Sequence, residues 1–224
     1  MRYVCPVVTF VLDLLVCVVS HDRADLLDRT LTSIATQAKG LRWALHIVDN
    51  ASQPETLNVI AKHCPTRALL LQRNDGINTA LNALLPPSPI SPFTLVSEND
   101  VEYRVPFSVG IGFLKDRGED LVSYQHSPEH GTCEIVDYDG YKFHRKVSER
   151  GQGLLFTSEY LWSLRPFPEH ERYGFDWWVC RNAPKARSRV FSLYGGAIHI
   201  GQHRSSWYPG GSYFEYPEFT IPKE

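Results

Sequence analysis

Short apolar runs and amphipathic helical segments alternate through the first hundred residues, and this rhythm limits the fold more than any other feature of the chain. Leu14–Ser20 reads as a buried strand. Asp25–Gln37 places Leu26, Leu27, Leu31 and Ile34 at helical spacing, and Gly40 closes it. Trp43–Val48, Ala68–Gln72 and Phe93–Ser97 read as further strands. Glu55–His63 and Gly76–Leu85 read as helices, stopped by Pro65 and Pro86-Pro87. A β-α-β-α-β-α-β order predicts an α/β protein with a Rossmann-like, mostly parallel central sheet flanked by helices. In such sheets ligands bind beyond the carboxyl ends of the strands. The polar clusters Ser20–Arg23, Asp49–Ser52 and Glu98–Asp100 fall there.

The second half is less regular. Phe107–Lys115 and Gly174–Arg181 read as helices. Leu121–Gln125, Ile135–Tyr138, Gly153–Thr157, Phe191–Tyr194 and Ala197–Ile200 read as strands. With 224 residues and no true linker, a single domain over 1–224 with a smaller mixed second half is expected.

A formal charge of −2 argues against a protein that coats nucleic acid. The balance is uneven, however. Residues 1–141 hold 11 basic and 17 acidic side chains, and residues 142–204 hold 11 and 5. The basic segment reads either as a solvated face or as a surface that meets something anionic. Five cysteines, an odd number without a C-x-x-C pair, suit reduced thiols and a cytoplasmic location. The apolar stretch Tyr3–Val19 is interrupted by Pro6 and Asp13 and is followed by no A-x-A site. Its second half, Leu14–Val19, reads as a buried strand rather than an anchor or signal.

Four segments carry the polar strand ends. They are VCVVSHDRADLLDRTLTSI, HIVDNAS ending at Ser52, RNDGINTALN from Arg73 to Asn82, and LVSENDVE from Leu95 to Glu102. In this order they resemble family 2-type glycosyltransferases of the GT-A fold. The resemblance runs roughly from Leu14 to Ser206 and is strongest up to Glu102. It implies a nucleotide-sugar-binding half over 1–103 and an acceptor-binding half over 104–224.

Residue chemistry suits that resemblance. Asp49 after a strand can accept hydrogen bonds from a uracil N–H or ribose hydroxyls, with Ser20, His21 and Arg23 beside it. Asp49 and Ser52 can also simply cap the next helix. Asn74-Asp75-Gly76 predicts a tight turn that brings backbone close to a ligand. A departing nucleoside diphosphate needs a cation, and Mn²⁺ or Mg²⁺ on carboxylates is the usual solution. The family commonly has Asp where Glu98 stands. Asp100 is therefore the expected metal ligand, with Glu98 and Asn99 on the donor. Alternation along an extended segment would point Glu98, Asp100 and Glu102 the same way.

Further on, Glu171–Trp178 resembles the segment that carries the family's catalytic base. Asp176 aligns best, with Glu171 in reserve. Ala197–Gly201 resembles the late histidine segment, which implies His199 as a second metal ligand. The implied function is a metal-dependent, inverting transfer from a nucleotide-sugar, UDP-sugar by default, to an acceptor hydroxyl. The acceptor can be a glycan, a lipid-linked sugar or an anionic polymer, including DNA with hydroxymethylated bases. A nucleotidyltransferase would carry a Gly-rich basic signature after the first strand, which SHDRAD lacks. A non-catalytic sugar-nucleotide or nucleic-acid binder stays open. His126, His130, Cys133 and His144 have metal-ligand chemistry but no standard zinc spacing.

Overall fold

The computed structural model describes residues 11–126, 131–146, 153–169, 174–182 and 190–201. Among these the elements are β1 (Leu14–Ser20), α1 (Ala24–Gln37), β2 (Trp43–Asn50), α2 (Pro54–Lys62), β3 (Arg67–Leu71), α3 (Gly76–Leu84), β4 (Phe93–Glu98), β5 (Val101–Tyr103), α4 (Phe107–Arg117), β6 (Leu121–Gln125), β7 (Thr132–Tyr138), β8 (Tyr141–Lys146), β9 (Leu154–Thr157), α5 (Ser158–Ser163), α6 (Gly174–Asn182) and β10 (Val190–His199).

All the strands join one sheet in the order β3-β2-β1-β4-β9-β6-β10-β8-β7, and β5 pairs with β10. The first four strands are parallel, as the sequence predicts. The rest of the sheet is mixed. β9 lies antiparallel between β4 and β6, and β10 runs parallel to β6 but antiparallel to β8 and β5. The parallel character therefore belongs to the first half, where helical crossovers separate the strands. Hairpin-like returns make the second half mixed.

Alternation along the strands sorts the core into two layers. Leu14, Val16 and Val18 of β1 face Leu27, Leu31 and Ile34 of α1 and the apolar side of α4. Leu15, Cys17 and Val19 face Ala80, Leu81 and Leu84 of α3, Leu161 of α5 and Phe175 of α6. A fully buried leucine or isoleucine contributes about 1.5–3 kcal/mol, so the buried row on α1 is enough to fix that helix on the sheet. Asp13, which interrupts the N-terminal apolar run, starts β1 by gripping Arg42. Its Oδ2 accepts from the Arg42 backbone N–H at 2.9 Å and from Nε at 3.1 Å, and its Oδ1 accepts from Nη2 at 2.7 Å. Among the described residues no helix is long and apolar enough to cross a membrane.

Three local expectations change. The strand expected at Ile135–Tyr138 forms and extends back to Thr132 as β7, but it is one arm of a hairpin whose second arm, β8, the sequence does not suggest; the two join through Asp139 and Gly140, whose φ values are 51° and 80°. Both central residues left-handed is the two-residue turn that matches strand twist, and Asp-Gly is its signature. The strands expected at Phe191–Tyr194 and Ala197–Ile200 are one strand, β10, with a register shift at Gly195-Gly196. The basic excess is also partly internal. Arg145 pairs with Glu119 and Glu134, Lys146 is fully buried, and Arg165 donates to the carbonyls of Pro86 and Asn82. Much of the run from Arg181 to Arg189 lies outside the described residues.

Candidate functional site

Strand order reverses between β1 and β4, and the carboxyl ends of these strands are where such a sheet binds ligands. The chain leaves β1 through a strained turn. Asp22 and Arg23 have φ values of 51° and 58°, and Ala51 at the end of β2 has 60°. Non-glycine residues rarely adopt this conformation and keep it only where the surroundings impose it. Here Asn99 imposes it. Its amide donates to the carbonyls of His21 at 3.1 Å and Asp22 at 2.9 Å. From the other side, the Asp22 N–H donates to Ser52 Oγ at 2.7 Å, and Asp22 Oδ1 accepts from the Gln53 N–H at the start of α2. His21 is fixed through Nδ1, 2.8 Å from the Asn50 carbonyl.

Asp100 lies at the centre. It follows β4 in the turn before β5 and is 3% exposed. Its Oδ2 accepts from Arg23 Nη1 at 2.7 Å and lies 3.0 Å from His199 Nε2. His199 reaches it because β5 pairs antiparallel with β10, placing His199 opposite Val101. The Ile200 N–H closes that pairing on the Asp100 carbonyl at 2.8 Å. Gly201 packs directly against the Asp100 carboxylate, leaving no room for a Cβ.

Among the described residues, several buried polar atoms at this edge have no hydrogen-bond partner. They include Ser20 Oγ, Asn50 Oδ1 and Asp100 Oδ1, at the ends of β1, β2 and β4. Buried polar groups are nearly always paired, so unpaired ones gathered at the strand ends are candidates to meet a ligand. Asp100 Oδ1 with the His199 imidazole suits Mn²⁺, with phosphate oxygens and water completing the shell. The residues present therefore fit a divalent cation. Among the described residues there is no group of three His, Cys, Asp or Glu side chains that could hold one alone.

Other predicted residues are placed differently. Asp49 is 1% exposed, and its carboxylate accepts from the Ser52 N–H at 2.9 Å and the Ser52 hydroxyl at 2.5 Å. It shapes the loop that holds Asp22. Asn99 spends its amide on backbone, so its visible work is positioning. Asn74 Oδ1 accepts from the Gly76 N–H at 3.1 Å, and Gly76 has φ 83°, which confirms the tight turn. Glu98 ends β4 half-buried. The shared direction expected for Glu98, Asp100 and Glu102 fails, because residues 99–100 form a turn that breaks the alternation. Glu102 instead takes Arg29 Nη2 of α1 at 2.7 Å.

Asp176 lies in the first turn of α6, half-buried, and α6 packs against α3. Glu171 lies outside the described residues, as do His203 and Arg204. His126 and His144 do meet, with ring centroids 4.5 Å apart, but Cys133 is exposed on β7 and His130 lies outside the described residues. Burial, Lys146 and His144 hold His126 down to about 4, and a buried ammonium beside the rings opposes a metal ion there.

Sequence reasoning missed Asn50, Gly201 and the pair Asn78 and Asn82. Asn82 donates to the Phe167 carbonyl at 2.8 Å and accepts the Phe167 N–H at 3.0 Å, while Asn78 donates to the Pro168 carbonyl at 2.9 Å. These amides tie α3 to the segment that leads into α6. Two asparagines at i and i+4 on an otherwise apolar helix were the available signal.

A parallel half-sheet ending in a buried carboxylate, continued by a mixed half that lays a histidine strand across it, defines a GT-A-type glycosyltransferase fold. Residues 15–86 match the family model for glycosyl transferase family 2.

Solved structures agree on the fold. The mannosyltransferase PcManGT from Pyrobaculum calidifontis, in complex with GDP-Man and Mn²⁺, matches with a TM-score of 0.60 at 16% identity, covering 85% of this chain and 59% of that one. S. aureus TarS 1–349 in complex with UDP-GlcNAc matches with a TM-score of 0.62 at 15% identity, covering 87% and 59%. GalNAc-T7 with UDP, GalNAc and Mn²⁺ matches with 0.58 at 13% identity, covering 90% and 46%. The chain thus spans less than two thirds of the length of these structures. No curated protein matches it in sequence.

Proposed function

We propose that this chain is a metal-dependent glycosyltransferase that moves a sugar from a nucleotide-sugar to an acceptor hydroxyl with inversion. One observation carries this: Asp100 is buried at the switch point with Oδ1 unpaired among the described residues, while Oδ2 faces Arg23 and His199. The similar structures add support, since their printed ligands are GDP-Man, UDP-GlcNAc, UDP and Mn²⁺.

In this reading Asp100 and His199 hold the cation. When bound, Mn²⁺ or Mg²⁺ neutralises charge on the departing diphosphate. Ser20, His21 and Asn50 line the nucleoside side, where the turn after β1 meets the end of β2, and Asp49 keeps that turn in shape. Glu98 is placed for the ribose. Gly76, with its left-handed φ, presents the N-terminal backbone of α3 to the phosphates. Asp176 takes the proton of the acceptor hydroxyl as it attacks the anomeric carbon. Glu171 is the reserve base.

The acceptor is a hydroxyl of a glycan, a lipid-linked sugar or an anionic polymer such as hydroxymethylated DNA. Reduced thiols and the sequence pattern favour action in the cytoplasm.

The test is thermal shift and donor hydrolysis with a panel of UDP- and GDP-sugars and Mn²⁺, with Asp100→Ala as control. Stabilisation and hydrolysis by one donor, requiring both metal and Asp100, supports the proposal. No response to any donor sinks it in favour of a non-catalytic binder.

A further inference from the structure

The Asp100 carboxylate carries a tension that its hydrogen bonds reveal. A buried carboxylate needs a countercharge, and the guanidinium of Arg23 supplies one at 2.7 Å. A divalent cation held by the same carboxylate would be close to that guanidinium and repelled by it. The arrangement shown is therefore neutralised without metal.

Arg23 is also held in an unusual way. Its backbone is left-handed at φ 58°, immediately after another left-handed residue. Asn99, the neighbour of Asp100, fixes the carbonyls of His21 and Asp22. The base of the Arg23 side chain is thus tied to the same turn that carries Asp100, while the side chain itself is one-third exposed. The root is rigid and the side chain is partly exposed. Arg23 also gives α1 its first backbone acceptor, since its carbonyl takes the Leu27 N–H at 3.0 Å.

We propose that Arg23 is a counter-ion latch. In the free protein it neutralises Asp100 and keeps divalent cations weakly bound. When a nucleotide diphosphate arrives, the guanidinium leaves Asp100 for the phosphate oxygens, which it can grip with two parallel donors. Asp100 is then free to hold the cation together with His199. Cation and nucleotide consequently bind with positive coupling, because each removes an obstacle to the other. The transfer to phosphate rests on the nucleotide-sugar reading proposed above. The competition between Arg23 and a cation for Asp100 does not.

The experiment measures Mn²⁺ binding by electron paramagnetic resonance, first with Mn²⁺ alone and then with UDP. Arg23→Gln is expected to bind Mn²⁺ alone at least tenfold more tightly than the unaltered protein, and the UDP–Mn²⁺ pair at least tenfold more weakly. Arg29→Gln removes an equal charge from α1, where Arg29 pairs with Glu102, and is expected to leave Mn²⁺ affinity unchanged. Mn²⁺ binding that does not tighten in Arg23→Gln, or that tightens equally in Arg29→Gln, overturns the latch.

A second measurement needs no variant. The guanidinium ¹⁵N–¹H signal of Arg23 is expected to shift when UDP and Mg²⁺ are added together. A signal that stays in place through saturation with UDP overturns the proposal. If UDP does not bind, GDP is used in its place; if neither binds, the nucleotide-sugar reading fails, and the Mn²⁺-only arm still decides the competition at Asp100.

Discussion

Gly201 packs its backbone onto the carboxylate of Asp100, so that a Cβ there would lie 2.9 Å from both Cβ and Cγ of the aspartate. This glycine, two residues beyond the end of β10, therefore packs against the candidate metal ligand although it has no side chain. Gly201→Ala is expected to push the carboxylate off Arg23 and His199. Overpacking of this kind costs about 1–3 kcal/mol. Urea denaturation should show that loss, and Mn²⁺ binding should weaken by at least tenfold. A variant with native stability and Mn²⁺ affinity would mean that the strand end yields freely.

Replacing Asp176, the proposed base, separates chemistry from binding. Asp176→Asn is expected to lower turnover by about 10²–10⁴ while the donor dissociation constant stays unchanged. Steady-state kinetics and calorimetry with the donor identified by the panel would check this. Unchanged turnover would return the base to Glu171.

Asn82 tests how α6 is positioned. Asn82→Ala strips both the N–H and the C=O of Phe167 of their partners. The expected loss is about 1–2 kcal/mol of stability. Turnover should fall further than donor affinity, because the disturbed segment leads to Asp176. A drop in donor affinity alone would contradict this.

Acid stability should depend on His126. Burial, then Lys146 and His144, hold its pKa down to about 4, below the usual 6.5. The ring is thus neutral in the native state while the unfolded chain still binds a proton between those values. Stability from this group is complete above pH 6.5 and is lost as pH falls towards 4. Because the ring is only half-buried, the loss is about 1–2 kcal/mol. Urea titrations at pH 7 and 4.5 should show a smaller difference in His126→Asn than in the unaltered protein.

The parallel half of the fold was legible because helical crossovers impose long, separately patterned segments. β1, α1, β2, α2, β3, α3 and β4 all form within two residues of the expected bounds. Beyond β4 the pattern weakens, since short strands return directly on themselves. Tyr141–Lys146 escaped because its alternating face is charged, although Asp139-Gly140 announced the turn. The single strand through Gly195-Gly196 was split in two by its glycines.

At the site, sequence gave residue types in order but not their directions. Asp100 and His199 are brought together, as the resemblance implies. Glu102 is turned towards Arg29 by a two-residue turn that no periodicity predicts. Asp49 is engaged with Ser52 in the capping arrangement that the residues alone also allowed. Gly201 could not be foreseen, because its importance lies in the space that it leaves for a residue a hundred positions earlier.

The seating of β9 between β4 and β6 has a consequence for synthesis. A growing chain completes β4 long before Leu154–Thr157 exists to pair with Phe93–Val96. Until then the ribosome displays an apolar strand with a bare edge, the kind of surface that sticks to copies of itself. The second half is thus the first half's missing neighbour as well as its own working surface. A truncation before Leu154 would therefore leave the first half prone to aggregation.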